Sequence, residues 1–279
     1  MSRVFVNRGD PLYKYAIDFM ESYWGTKGKG IFPGCQPISI ERQHFDILSK
    51  NDYVVCEKTD GTRYMMLAFM YFDKKMCIFV NRALDMFSCS MNFRKQIFNG
   101  TILEGELYED TFMVYDCLLA LGEEVGNKNF LDRLIHCENI AKKILSLKTD
   151  VLFIKVKKFY LHNDFNEFMD KYLPKVKQDI DGLIFTPVNI PIRTGTHERM
   201  FKWKPRNKNT IDFLVKKGPT FETPGCKPGK YVWRLYIQER GKHVFESSIP
   251  LEKMNDYKWL REGDIVECVY VTWEDGPIW

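Results

Sequence analysis

Apolar residues near the start of the chain recur with the spacing of an amphipathic helix. Asp10 precedes Pro11 in the order of a helix N-cap followed by proline in the first turn, and Gly25 is placed to end the helix. The apolar positions that fall on one face are Tyr13, Ala16, Ile17, Met20 and Trp24. This pattern predicts a first helix between Pro11 and Gly25.

Short runs rich in β-branched and aromatic residues follow, and they predict a strand-rich block. The expected strands and hairpin arms are Tyr53–Cys56, Arg63–Tyr71, Met76–Asn81, Thr101–Tyr108 and Thr111–Leu118. Helices are expected at Glu41–Leu48, Leu131–Leu147 and Phe165–Leu173, and further strands at Val151–Val156, Asp181–Thr186 and Glu198–Lys204.

The pattern changes after Asp212. Turn-forming residues between Lys216 and Gly225 indicate a linker, and only strand patterns follow it. Those strands are expected at Tyr231–Gln238, His243–Glu246 and Asp264–Thr272. An α+β domain over residues 1–212 and an all-β domain over residues 213–279 are therefore predicted.

Composition narrows the class of protein. The 279 residues are 45% hydrophobic and 28% charged, which is enough for a sizeable core and excludes a disordered chain. A net charge of +4 is too small for a dedicated duplex-DNA binder but allows a local basic site. The eight cysteines show no C-x-x-C spacing, so reduced, buried thiols are expected instead of a zinc site. The longest apolar run, Tyr64–Phe72, is too short to span a membrane.

Four short motifs stand out as candidate chemistry. The first, Lys58-Thr-Asp-Gly-Thr-Arg63, lies between two predicted strands, where an Asp-Gly hairpin turn is an equally good interpretation. The second, Leu103-Glu-Gly-Glu-Leu107, places carboxylates inside a strand, which indicates either a site or a water-facing edge. The others are Asp181-Gly-Leu-Ile-Phe185 and Phe201-Lys-Trp-Lys204; two lysines on one strand face fit either a basic site or a solvated face.

The order of these motifs resembles that of the covalent nucleotidyltransferases, the mRNA-capping guanylyltransferases and ATP-dependent polynucleotide ligases. The likeness covers about residues 53–212 and is greatest to the capping branch. The motifs that carry it are Lys58–Leu67, Thr111–Asp116, Asp181–Pro187, Trp203–Pro205 and Thr210–Phe213. Ligases usually carry Glu-Gly where this chain has Asp181-Gly182.

The resemblance implies a fold. It is an α+β nucleotidyltransferase domain, with ATP-grasp-like, ligase-type antiparallel sheets and flanking helices, joined to a C-terminal OB-fold β-barrel. A family motif expected shortly after Val266–Tyr270 is not found before Trp279. We therefore expect the OB-fold domain to be incomplete and the chain to be a fragment of a longer polypeptide.

The resemblance also implies roles for single residues. Lys58 would be the catalytic nucleophile that attacks GTP, and Glu106 and Asp181 would serve ribose and metal. Arg63 and Arg82 would contact the ribose or phosphate. The full nucleotide-binding set is Thr59, Arg63, Arg82, Glu106, Tyr115, Lys157, Lys202, Lys204 and Asp212. Among these, the family likeness assigns guanine stacking to Tyr115, the base edge to Lys157, the α-phosphate to Lys202 and Lys204, and a supporting role to Asp212.

Elementary chemistry makes these roles reasonable. A lysine attacks only as the free amine, and an unperturbed lysine has a pKa of about 10.4. Nearby cations such as Arg63, Lys202 and a divalent metal are expected to disfavour the ammonium form of Lys58. Mg²⁺ or Mn²⁺ is expected because carboxylates are hard oxygen ligands. The implied steps are a lysyl-N–GMP intermediate, then transfer of GMP to RNA to form a GpppN cap.

The resemblance implies GTP and 5′-diphosphate RNA as substrates, with an RNA triphosphatase and a cap methyltransferase as candidate partner domains. A cytoplasmic viral enzyme is expected, or a nuclear one if the source is cellular. Two alternatives stay open. One is an ATP-dependent RNA or DNA ligase; the other is a catalytically silent, OB-containing scaffold that binds RNA or a capping partner.

Overall fold

The computed structural model describes residues 3–143, 152–205, 208–219, 231–249, 254–269, 271–273 and 276–278. Its contacts divide the chain into two compact units, Met1–Trp203 and Lys204–Trp279. The division precedes the boundary predicted at residue 212, because the strand Thr210–Pro219 already pairs on both sides with strands of the second unit. The predicted linker residues Thr223–Gly225 lie outside the described part of the chain.

The first unit combines strands with short helices. Its helices are α1 (Pro11–Trp24), α2 (Phe45–Lys50), α3 (Phe130–Ala141) and α4 (Phe165–Glu167), the last continuing as a π-helical turn over Phe168–Tyr172. Single 3₁₀ turns cover Arg42–His44, Lys95–Asn99, His162–Asp164 and Leu173–Lys175. Its strands are β1 (Val4–Val6), β2 (Gln36–Ser39), β3 (Tyr53–Thr59), β4 (Thr62–Tyr71), β5 (Lys74–Asn81), β6 (Met86–Ser88), β7 (Thr101–Tyr108), β8 (Thr111–Ala120), β9 (Glu123–Glu124), β10 (Phe153–Val156), β11 (Tyr160–Leu161), β12 (Ile180–Pro187) and β13 (Thr196–Trp203).

The predicted first helix is confirmed with its caps. The Asp10 carboxylate accepts a hydrogen bond of 2.8 Å from the backbone N–H of Leu12, and Gly25 ends the helix with a φ of 62°. Ala16 and Met20 are fully buried on the face that packs against the first sheet. The expected α3 is also present, although the part of it predicted beyond residue 143 lies outside the described residues.

The strands of this unit form two sheets. The larger has the order β1-β6-β5-β4-β7-β8-β10, with β9 beside β8, and the smaller has the order β11-β3-β12-β13-β2. Both predicted hairpins, β4–β5 and β7–β8, are antiparallel neighbours. The unbroken apolar run Met65–Phe69 of β4 is buried because alternate side chains enter two cores, one against α1 and one against α3.

The chain passes from the smaller sheet to the larger one at Asp60-Gly61. β3 pairs with β11 and β12, whereas β4 pairs with β5 and β7, so the hairpin interpretation of the Asp-Gly pair is wrong. Gly61 is required by close packing, since a Cβ there would lie 2.7 Å from the carbonyl oxygen of Leu107. Consequently the two ends of the Lys58–Arg63 motif belong to different sheets.

A buried ion pair fastens α3 to the larger sheet. The Arg133 side chain is 2% exposed and donates to both carboxylate oxygens of Asp116 on β8, over 2.7 and 3.0 Å. It also donates to the backbone carbonyl of Lys128 over 2.7 Å. This bidentate geometry satisfies both charges where water does not reach them.

The second unit is described by itself. Its strands are β14 (Thr210–Pro219), β15 (Tyr231–Glu239), β16 (Lys242–Ser248), β17 (Ile265–Val269), β18 (Val271–Trp273) and β19 (Gly276–Ile278). An antiparallel sheet of order β16-β15-β14-β17 buries Phe213, Val215, Trp233 and Leu235, and β18 pairs with β19. Closure of this sheet into an OB-fold barrel stays a prediction.

Two further expectations concern the chain as a whole. The cysteines in the described ranges are free thiols, and apart from Cys268 they are buried. Within those same ranges, no helix has both the length and the hydropathy needed to cross a bilayer.

Replacing Arg133 with leucine should lower the free energy of unfolding by about 3 kcal/mol or more, because it leaves the Asp116 carboxylate buried without a counter-charge. Urea denaturation measures this. The matched control is Arg8→Ala, which removes an exposed ion pair between Arg8 and Asp85, whose charged atoms are 3.4 Å apart. It should change the free energy of unfolding by less than about 0.5 kcal/mol. Equal losses in the two variants would contradict the prediction.

Candidate active site

A cavity of about 280 Å³ opens between the two sheets of the first unit. Strands β3, β12 and β13 line it from the smaller sheet, and β4, β7 and β8 line it from the larger one. The residues from the predicted nucleotide-binding and catalytic set that line it are Lys58, Thr59, Arg63, Arg82, Glu106, Tyr115, Lys157 and Lys202. The structure thus brings these dispersed positions together, while their individual roles stay predictions.

Lys58 lies near the end of β3 and contacts an acid from the neighbouring strand. Its Nζ donates to both carboxylate oxygens of Asp181, over 2.8 and 2.9 Å. The Lys58 side chain is 27% exposed and that of Asp181 is 9% exposed. The nearest charged partner of the amine is therefore a carboxylate, although the sequence led us to expect cations there. A lysine attacks only as the free amine, so Lys58 has to lose a proton and separate from Asp181 before it can act as a nucleophile.

Arg63, at the other end of the motif, is held on several sides. It donates to the carbonyl oxygen of Cys35 over 2.6 Å and to Glu104 Oε2 over 2.9 Å. Its guanidinium carbon lies 5.3 Å from the ring centre of Phe32 and 5.9 Å from that of Tyr115. Burial alone would lower the pKa of Arg63, but the Glu104 carboxylate outweighs it and the pKa is raised. The side chain is thereby fixed as a cation.

Glu104 is a site residue for which the sequence reading gave no role. It is buried in the middle of the larger sheet, so the water-facing alternative for this strand is wrong. Burial raises the pKa of Glu104, and Arg63 opposes that rise. Gly34 makes room for the pair, since a Cβ there would lie 2.5 Å from an Arg63 nitrogen and 2.6 Å from Glu104 Oε1. The alternation of Glu104 and Glu106 was the available signal, because it puts both carboxylates on one face of β7.

Glu106 is a partly buried carboxyl group of the cavity with a strongly raised pKa. Burial raises its pKa to about 7, and Lys157, Lys58 and Arg63 oppose that rise, whereas Asp181 adds to it. Glu106 is therefore close to half protonated at neutral pH.

The acid pair can be tested as a metal site from its donor set. The described part of the chain contains no group of three or more His, Cys, Asp or Glu side chains arranged to hold an ion. Glu106 and Asp181 supply two carboxylates, and Mg²⁺ is commonly held by one or two carboxylates together with substrate phosphates. The residues fit a cation shared with a nucleotide.

Lys157 is a buried cation in the cavity wall. It is 6% exposed, and its Nζ donates to the carbonyl oxygen of Glu57 over 2.8 Å. The same nitrogen lies 3.7 Å from Glu57 Oε1. Tyr172 and Gln178 also contact the Glu57 carboxylate. This network of contacts around Glu57 fixes the position of the Lys157 side chain.

The remaining cavity positions lie on several parts of the first unit. Arg82 donates to Gln36 Oε1 over 3.0 Å, and Lys202 lies on β13 opposite Ile184 of β12. The hydroxyl of Thr59 lies 3.8 Å from the Met113 sulfur. Lys202 and Arg82 bring further positive charge to the wall of the cavity.

Lys204 and Asp212 belong to the second unit. β13 ends at Trp203, so Lys202 lies within the strand and Lys204 directly follows it. Asp212 lies on β14 opposite Glu267 of β17. Their predicted contacts with phosphate stay predictions.

The apolar wall of the cavity was missed at the sequence level. Its members are Cys56, Phe130, Phe159, Ile184 and Met200. Cys56 could have been found from the two-residue period of β3, which puts it on the same face as Lys58. The others come from separate elements, which strand alternation alone does not connect.

The chain is similar to a known protein family and to several curated proteins. The family described as "mRNA capping enzyme, catalytic domain" matches residues 14–206, more than half of the chain. The mRNA-capping enzyme subunit alpha of Neurospora crassa is 33% identical over 66% of this chain and 54% of its own length. The mRNA-capping enzyme of Danio rerio is 28% identical over 90% of this chain and 44% of its own length. The chain thus spans about half the length of these curated relatives, which are fungal and animal.

Solved structures with a similar fold include DNA ligases. The ATP-dependent DNA ligase from bacteriophage T7 in complex with ATP has a TM-score of 0.47 and 15% identity, over 88% of this chain and 97% of that one. The Chlorella virus DNA ligase-adenylate has a TM-score of 0.40 and 10% identity, over 85% and 94%.

Replacing Gly34 with alanine should push Arg63 away from Glu104, because the new Cβ falls well inside contact distance of both side chains. We expect a melting temperature at least a few degrees lower than that of the parent chain. Gly9→Ala is the matched control, since a Cβ there meets nothing within 4 Å. Similar melting temperatures for the two variants would show that the site tolerates the extra carbon.

Glu106→Gln should remove a pH dependence of stability. The Glu106 pKa is near 7 in the folded chain and 4.5 in the reference state, so the folded chain holds this proton more tightly. The contribution is fully present below about pH 4.5 and is lost as the pH rises through 7. Between pH 4.5 and pH 8, the free energy of unfolding of Glu106→Gln should therefore rise relative to that of the wild type by on the order of 2 kcal/mol.

Urea denaturation across that pH range checks the sign for Glu106. Glu124→Gln, which changes an exposed carboxylate, serves as the control and should track the wild type at every pH. A stability difference between Glu106→Gln and wild type that is constant with pH would disprove the assignment.

Proposed function

The chain belongs to the mRNA-capping enzyme catalytic-domain family, and we propose that it is an mRNA guanylyltransferase. It transfers GMP from GTP to the 5′-diphosphate end of RNA through a covalent bond to Lys58. The observation that carries this proposal is the amine of Lys58 in a cavity that also presents Arg63, Lys202 and the ring of Tyr115. A primary amine, phosphate-binding cations and an aromatic ring are what a nucleotide phosphorus, its charge and its base require.

The first step forms the intermediate. The Lys58 ammonium gives a proton to Asp181 and separates from it, and the amine then attacks the α-phosphorus of GTP. An N–P bond forms, the bond from the α-phosphorus to the bridging oxygen breaks, and pyrophosphate leaves with that electron pair. The nitrogen loses a second proton to the departing pyrophosphate, which leaves a phosphoramidate with a neutral nitrogen and a negative charge on its phosphoryl oxygens. Asp181 lies 2.8 Å from Nζ and is the closest acceptor for the first proton.

The second step makes the cap. A terminal oxygen of the RNA 5′-diphosphate attacks the same phosphorus, the N–P bond breaks, and the nitrogen takes back a proton. The products are a 5′-5′ triphosphate linkage and free Lys58. Because the N–P bond is far more reactive once its nitrogen is protonated, a proton donor beside Lys58 speeds departure of the amine. Asp181, which takes the proton in the first step, is the acid closest to this amine.

The cations of the cavity bind and neutralise the triphosphate. Arg63 and Arg82 contact ribose or phosphate, and Lys202 contacts the α-phosphate. The α-phosphate role of Lys204 and the supporting role of Asp212 stay predictions. Positive charge already fixed in place stabilises charge that develops on the departing pyrophosphate. Arg63, which Glu104 and Cys35 hold, has the most restricted position of these groups.

Glu106 and Asp181 would hold a divalent cation, Mg²⁺ or Mn²⁺, which would supply positive charge to offset that of the phosphates. Glu106 contacts the ribose as well. Tyr115 stacks on the guanine, Lys157 contacts its edge, and Thr59 completes the nucleotide site.

The wider assignment follows the family. An RNA triphosphatase supplies the 5′-diphosphate end, and a cap methyltransferase consumes the product, whether as domains or as subunits. The curated relatives described above are fungal and animal, so they give no support to a viral source. The cytoplasmic location stays a prediction.

The proposal predicts that GTP labelled at the α-phosphate leaves its label on the protein after denaturing electrophoresis, and that Lys58→Ala abolishes the label. GTP labelled at the γ-phosphate should leave none, because pyrophosphate departs. The matched control is Lys155→Arg, an exposed lysine on β10 that should label normally. Retention of label on Lys58→Ala would overturn the assignment of the nucleophile.

The same assay separates the two alternatives. A ligase would take label from ATP in preference to GTP. A silent scaffold would take label from neither nucleotide, with Mg²⁺ or Mn²⁺ present. Either result with the wild-type chain would end the guanylyltransferase proposal.

A further inference from the structure

The Glu57 carboxylate is a buried acid to which the two chemical steps above give no task. It is fully buried on β3, immediately before Lys58, and its side chain points away from Lys58 because neighbouring strand residues face opposite sides. Its Oε1 accepts a hydrogen bond from Gln178 Nε2 over 3.2 Å, and its Oε2 lies 3.5 Å from the hydroxyl of Tyr172. Burying such a charge is costly unless it is paired.

Its opposite charge is Lys157, which reaches the same place from the segment after β10. The Lys157 ammonium donates to the Glu57 carbonyl oxygen over 2.8 Å and lies 3.7 Å from Glu57 Oε1. An ammonium has three N–H donors and no acceptor. The backbone carbonyl of Glu57 accepts one of the Lys157 N–H donors, and the Glu57 carboxylate attracts the ammonium charge. Lys157 also lines the cavity. The lysine is therefore a fixed, donor-only group at the cavity wall.

A donor-only group distinguishes the two purines. The edge of guanine presents the O6 and N7 acceptors, whereas the edge of adenine presents an N6 amino donor beside N7. An ammonium placed beside position 6 of the base can donate a hydrogen bond to O6 of guanine. Beside adenine, the ammonium and the N6 amino group would be two donors facing each other. This discrimination requires that the ammonium stays charged and stays in place.

We propose that Glu57 is a positioning residue that sets the preference for guanine over adenine by holding Lys157 charged and fixed in the cavity wall. This inference rests on the proposed guanylyltransferase function. Without the Glu57 charge, the buried ammonium either moves toward water or gives up its proton. In the first case the donor leaves the base, and in the second the neutral amine can accept a hydrogen bond from adenine. Both outcomes reduce the selectivity.

The test compares wild type, Glu57→Gln and Tyr172→Phe in single-turnover labelling of Lys58 with GTP and with ATP. Glu57→Gln keeps the shape of the side chain and removes its charge. We expect its ratio of kcat/KM for GTP to that for ATP to fall about tenfold or more, as for loss of a charge-assisted hydrogen bond. Tyr172→Phe removes only a long contact to the same carboxylate and should keep the ratio within about twofold.

A double-mutant cycle separates this role from a general loss of structure. Lys157→Met should itself lower the ratio, and adding Glu57→Gln should lower it no further, since the carboxylate acts only through the lysine. The double variant has no unpaired charge at this position, so it also guards against failure of Glu57→Gln to fold. Additive losses in the cycle, or an unchanged ratio in a folded Glu57→Gln, would overturn the inference.

Failure of the inference can be told apart from failure of the proposed function. Equilibrium binding of GTP and ATP to Lys58→Ala, with or without Glu57→Gln, reports on selectivity without any chemistry. Wild-type labelling by GTP with no change of selectivity in the Glu57 variants rejects only the role of Glu57. Absence of wild-type labelling rejects the guanylyltransferase proposal.

Discussion

A charge removed from water needs an opposite charge beside it, and this requirement organises the walls of the cavity. The pairs that meet it are Lys58–Asp181, Arg63–Glu104, Lys157–Glu57 and Arg133–Asp116. Each pair joins two different segments of the chain, and Arg133–Asp116 joins a helix to a strand. The charges that could act on a ligand are therefore placed by the fold and not by the flexibility of long side chains. Ion pairing here defines position more than stability, because a buried pair gains little over apolar packing of the same volume.

Position matters because the two ends of the Lys58–Arg63 motif lie in different sheets. The passage at Asp60-Gly61 puts the amine on the wall formed by β3 and β12, and the guanidinium on the wall formed by β4 and β7. A ligand that contacts both residues must therefore lie between the sheets. The short spacing in sequence is the means by which one motif reaches both walls.

Local patterns in the sequence predicted much of this fold. The capped first helix and both hairpins of the larger sheet follow from period and turn chemistry, which act over a few residues. The crossing between sheets could not be read in the same way, because Asp-Gly is equally suited to a hairpin corner. The family resemblance pointed to eight of the side chains that line the cavity, but it also included Lys204 and Asp212, which belong to the second unit. The partners of those side chains could not be predicted from the sequence, because they depend on contacts between segments far apart in the chain. These partners are the Cys35 carbonyl, the space at Gly34 and the Glu57 carboxylate.

The contact between Lys58 and Asp181 also bears on how chemistry would begin. An amine held by a carboxylate is protected from reaction, so the group that opens the pair controls when the nucleophile becomes available. Under the proposed function, a nucleoside triphosphate brings negative charge into a cavity already lined by Arg63, Lys202 and Lys157. Once Lys58 has passed a proton to Asp181, the phosphate oxygens can replace the carboxylate as partners of the Lys58 nitrogen. Binding and activation then become one event, because the ligand that is to be attacked also supplies the charge that displaces Asp181.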